Sequence, residues 1–79
     1  MEFHIPSPTT EIEQVVSGAI ESAEWNKFSR RLVIHFHQRG SYAYYGVTRD
    51  TFESLIEAPS VGRYFNFNIK DNYSYKRIL

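Results

Sequence analysis

The sequence predicts an α+β domain: a three-stranded antiparallel β-meander followed by two short helices packed on one face, with room for a short N-terminal helix ahead of the sheet. Three observations carry that prediction. Apolar residues alternate with period two through Arg31–His37 and again through Ser41–Val47, as they do in strands with one buried face. The segments between them are short and polar, with Gly40 ending one, as hairpins require. Beyond Gly46 the period changes, and apolar residues recur at i, i+3 and i+4 behind Thr48 and again behind Ser60, the spacing of amphipathic helices with capped starts.

The opening Met1–Thr10 holds Pro6 and Pro8 among Ser7, Thr9 and Thr10 and is expected to be a flexible arm, leaving residues 11–79 as one domain. Ile12, Val15 and Val16 sit at helical spacing behind a Thr pair, although their β-branching leaves a strand open. Ala19–Asn26 alternates roughly, with Ile20, Ser22 and Glu24 on one side and Ala19, Ala23 and Trp25 on the other, and is assigned as the first strand. In the second strand Leu32, Ile34 and Phe36 oppose Val33, His35 and His37. In the third, Tyr42 and Tyr44 oppose Ala43 and Tyr45. Phe52, Leu55 and Ile56 then mark a helix that must stop before Pro59. Val61, Tyr64, Phe65 and Ile69 mark a second, in which Asn66 and Asn68 are weak helix formers. The tail from Asn72 to Leu79 reads as a final strand or a docked extension.

Composition narrows the chemistry. Seventy-nine residues suit one core, and without cysteine there is neither a disulfide framework nor a thiolate site to hold it. Six Phe, six Tyr and one Trp provide the packing area instead. No apolar run of membrane-spanning length and no secretory leader are read, so a cytoplasmic protein away from membranes is expected. The net charge of zero hides an asymmetry: every charge before Lys27 is acidic, whereas nine basic residues face only Asp50, Glu53, Glu57 and Asp71 from there on. Such a distribution suits either a basic face for an anionic partner or mutual neutralisation of the two regions.

Five runs, Ser17-Gly18-Ala19-Ile20, Leu32-Val33-Ile34-His35-Phe36, Gly40-Ser41-Tyr42-Ala43-Tyr44, Ala58 through Asn66 and Ile69-Lys70-Asp71-Asn72-Tyr73, together resemble the KTSC domain. That family takes its name from the C-terminus of some lysyl-tRNA synthetases and also occurs as free-standing bacterial and phage proteins. The resemblance spans Ser17 to Tyr73. It departs at Glu24-Trp25-Asn26, where the family commonly shows Gly-Tyr-Asp, and at Val47-Thr48, where it shows Val-Pro. It implies an α+β fold and adds RNA binding, a suggestion made for the family, as an expected activity.

The residues expected to contact nucleic acid are Arg31, Arg39, Tyr42, Tyr44, Tyr45, Arg63 and Lys70. Tyrosines beside arginines suit unpaired bases, which stack on aromatic faces while cations meet phosphate. Tyr42 and Tyr44 serve equally well as core residues facing the helices, and Arg63, Lys70, Lys76 and Arg77 equally well as a solvated face. His35 and His37 project to one side of a strand, yet even with His4 or a carboxylate they make no recognisable zinc spacing. Ser60 in Ala-x-Ser-x-Gly lacks the first glycine of a nucleophile elbow and reads as a helix cap, while Gly62 allows close approach of a backbone or a phosphate. No acid–base pair stands out. The expectation is therefore a non-catalytic binding domain without metal or cofactor, whose partner is RNA or single-stranded DNA. The alternative is a protein-binding regulator, of the phage or prophage type, that docks its acidic arm on host transcription or translation machinery.

Overall fold

A computed structural model describes residues 10–14, as backbone, and residues 18–79. The chain runs β1 (Thr10–Gln14), β2 (Ile20–Asn26), β3 (Arg31–Phe36), β4 (Gly40–Tyr44), α1 (Arg49–Glu57), α2 (Val61–Asn68) and β5 (Tyr75–Arg77). The five strands form one antiparallel sheet in sequence order. The predicted meander is its centre. The segment around Ile12 is a strand and not the expected helix, because Thr10–Gln14 pairs along its whole length with β2, Thr10 opposite Asn26 and Gln14 opposite Ser22. Val15, Val16 and residues 1–9 of the expected arm lie outside the described residues. The tail supplies the fifth strand, with Tyr75 opposite Tyr44 and Arg77 opposite Tyr42.

Each turn has a local cause. At the β2–β3 turn the Asn26 carboxamide oxygen accepts from the Phe28 and Ser29 amides at 2.9 Å each. Arg30 then takes a left-handed conformation and its amide donates to the Asn26 carbonyl at 2.7 Å. At the β3–β4 turn Gly40, at φ 84°, returns the chain into β4. Both helices begin as predicted: the Thr48 hydroxyl accepts from the Thr51 amide and the Ser60 hydroxyl from the Arg63 amide, at 3.3 Å in each case. Asn68 and Asn72, weak formers within a helix, serve its end, their carboxamides donating to the Tyr64 and Asn68 carbonyls.

The helices cover one face of the sheet. Register places Trp25, Leu32 and Tyr44 in one row and Ala23, Ile34 and Tyr42 in the next. Against these rows pack Phe52 and Leu55 of α1, Val61 and Phe65 of α2, and Ile69. Strict alternation puts Ile20 with Glu24, but a bulge between Ile20 and Ser22 shifts the parity of β2. Ile20 thereby comes opposite Phe36 and into the core. Trp25 stacks on Phe52 with ring centres 5.6 Å apart and donates its indole N–H to the Val47 carbonyl at 2.8 Å. Its polar edge is thus satisfied where its ring is buried. No helix among the described residues is long and apolar enough to cross a membrane.

Candidate binding cleft

Toward the β3–β4 turn a cleft of about 600 Å³ lies between the sheet and α2. Its walls are aromatic. Phe36 on β3, Tyr42 on β4, Phe65 on α2 and Tyr75 on β5 converge there because β4 is paired on one side with β3 and on the other with β5. Phe36 meets Tyr42 and Phe65 edge to face at centroid separations of 5.8 and 5.5 Å. Tyr75 leans on Tyr42 at 6.1 Å and on Tyr44 at 5.7 Å. Edge-to-face arrangements such as those of Phe36 are among the geometries that aromatic pairs prefer.

The rim is polar. Arg39 and His37 approach from the β3–β4 turn, Asn66 from α2, and Lys70 and Asp71 from the segment that follows it. Among the described residues, Arg39, Lys70 and Asp71 form no ion pair with one another or with a neighbour. Gly18 and Gly62 line the same opening without side chains. Tyr44, at the deep end, is only 4 % exposed. Its phenol is pushed up to about 12, first by burial and then by the neighbouring Tyr42, Tyr75 and Asp71, so the hydroxyl is neutral at any ordinary pH.

Four of the seven expected contact residues, Arg39, Tyr42, Tyr44 and Lys70, therefore share this cleft. They do not form the open tyrosine strip that β4 suggested. Tyr42 and Tyr44 point toward the helices and are half-buried and buried, the core arrangement, whereas Tyr45 is exposed past the end of β4. Arg31 lies on the opposite face, beside Glu24, Asn26 and Val33. Arg63 stands on α2 with its guanidinium 5.9 Å from the exposed Phe67 ring. Phe36, Phe65, Tyr75, Asn66 and Asp71 were not foreseen as cleft residues. The alternation of β3 already placed Phe36 on the correct face, but the others depend on how the tail pairs and where α2 ends.

The two strand histidines separate. His37 lies past β3 at the cleft mouth, whereas His35 sits on the uncovered face of the sheet. There its Nε2 bonds the Glu24 carboxylate and its Nδ1 lies 2.6 Å from the Ser41 hydroxyl, a clasp across β2, β3 and β4. Serine, imidazole and carboxylate are the groups of a nucleophile and its base, but Ser41 is only 4 % exposed and lines neither the aromatic cleft nor the hollow beside Arg31. No group of three or more His, Asp or Glu side chains placed to hold a metal occurs among the described residues.

A five-stranded sheet carrying two capped helices on one face, with an aromatic cleft beside the second helix, defines a small α+β module. Residues 16–73 match the KTSC domain model. A protein of Tsukamurella paurometabola is 32% identical over 62 residues, which are 78% of this chain and 92% of that protein. The crystal structure of a KTSC domain protein from Yersinia pestis superposes with a TM-score of 0.84 at 30% identity, covering 89% of this chain and 99% of that one. The chain belongs to the KTSC family.

Proposed function

We propose that this domain acts in the cytoplasm by binding single-stranded nucleic acid, RNA or unpaired DNA, without catalysis, and that the cleft receives an unpaired base. The observation that carries the reading is the convergence of aromatic walls and two cations, unpaired among the described residues, on one opening. Phe36, Tyr42 and Tyr75 offer ring surface, and Arg39 and Lys70 line the same cleft, which supports a role for them in meeting the phosphates of an inserted nucleotide. A planar base replaces water against the rings, for which a gain of about 1–3 kcal/mol per stacked base is usual. The phosphates release counterions as the two cations engage them.

Fluorescence anisotropy with a labelled oligouridylate, in RNA and DNA form and at two salt concentrations, tests the reading. Binding weakens as salt rises. Arg39→Ala and Lys70→Ala each lower the logarithmic salt slope by roughly 0.7, the value for one phosphate contact to a single strand. Tyr75→Ala costs about 1–3 kcal/mol of affinity, and because Tyr75 is 61% exposed the fold tolerates it. Arg31→Ala, on the far face, serves as the control and changes little. Absence of binding at low salt, or equal effects of Arg31→Ala and Arg39→Ala, contradicts the reading.

A further inference from the structure

The rim carries more than phosphate-binding groups. Asp71 places a carboxylate at the cleft, close enough to raise the Tyr44 phenol, and it forms no ion pair or hydrogen bond among the described residues. A carboxylate without a partner among the described residues, lining the same cleft as two cations, works against a site built for phosphate alone. It makes chemical sense opposite a group that donates hydrogen bonds.

Resting on the nucleic-acid reading of the cleft, we propose that its occupant is a guanine, with Asp71 accepting from the base edge while Arg39 and Lys70 hold the flanking phosphates. Guanine presents two adjacent donors on its Watson–Crick edge, N1–H and the N2 amino group, and a carboxylate has two acceptor oxygens that meet them together. The other bases fit less well. Adenine and cytosine each offer one amino group next to a ring nitrogen whose lone pair repels the carboxylate. Uracil and thymine offer one N–H between two carbonyls. The Asn66 carboxamide, on the same cleft, has donors for the guanine O6. Asp71 and Asn66 are exposed until a base covers them, and a bound base that leaves them unpaired forfeits their hydrogen bonds to water, so the discrimination comes as much from the cost to the wrong base as from the gain to the right one.

The test measures anisotropy for oligouridylates carrying a single central G, A or C, beside the all-uridine strand. The G-containing strand is expected to bind about tenfold more tightly than the others, the scale of one good paired base-edge contact. Asp71→Asn abolishes that margin, so that the G-containing and all-uridine strands bind alike. Asp71→Glu restores part of it, which separates hydrogen bonding from any general loss of structure. Equal affinity for all four strands, with binding intact, overturns the guanine assignment and leaves the cleft reading standing. No binding by any strand overturns both.

Discussion

At the scale of single residues, burial decides what each aromatic does. Tyr44 has the sequence context of a contact residue, yet its ring is packed between Phe65 and Tyr75 and its phenol is raised to about 12. The raised value has a consequence for stability. Between pH 10 and 12 the unfolded chain releases the Tyr44 proton while the folded chain keeps it, so the associated stability is complete below pH 10. It is lost as pH rises toward 12 and amounts to about 2–3 kcal/mol at the upper end. Denaturation of the wild type and of Tyr44→Phe across this range measures the effect, because the variant lacks the group and its stability falls less steeply with pH. Parallel curves contradict the assignment. Tyr42, one alternation away, stays half-buried and keeps an edge on the cleft. A sequence pattern gives both residues the same face, but only the packing of α2 and β5 gives them different depths.

At the scale of elements, what was legible depended on whether the cause was local. Both helix starts were readable because Thr48 and Ser60 cap through hydrogen bonds made within their own first turns. The faces of β3 were readable because Leu32, Ile34 and Phe36 alternate without a break. The edges of the sheet were not. Ile12, Val15 and Val16 satisfy helical spacing, and only pairing with β2, a partner more distant in the chain, makes Thr10–Gln14 a strand. The three-residue β5 is likewise held by β4 and by a bridge in which the Ser41 amide donates to the Leu79 carbonyl at 3.2 Å and the Ile78 amide to the Ser41 carbonyl at 2.8 Å. Gly40 joins these effects. Its left-handed φ of 84° suits glycine, and a Cβ there would run into the Leu79 carbonyl. Gly40→Ala is therefore expected to cost about 2 kcal/mol or more, from the backbone conformation and from displacement of the tail. Urea denaturation gives the value. A loss below about 0.5 kcal/mol would falsify the steric account, since that is the range of an ordinary surface change.

At the scale of the whole molecule, the fold separates two surfaces with different chemistry. The helix-covered face builds the core and, between the sheet and α2, the aromatic cleft. The other face holds the Glu24–His35–Ser41 clasp and Arg31. Arg39 was identifiable from the sequence as a cation beside tyrosines, and Lys70 as one of the basic residues of the C-terminal region. Their convergence was not, because it requires the β3–β4 turn to meet the segment after α2 across the sheet. Asp71 and Tyr75 were overlooked for the same reason. The most direct test of the cleft is amide chemical-shift mapping during titration with a short single-stranded oligonucleotide. Binding in the cleft shifts Ala19, Ile20, His37 to Arg39, Asn66 and Asp71 while leaving Val33, His35 and Ala43 unmoved. Shifts centred on those last three residues, or no shifts at low salt, contradict it.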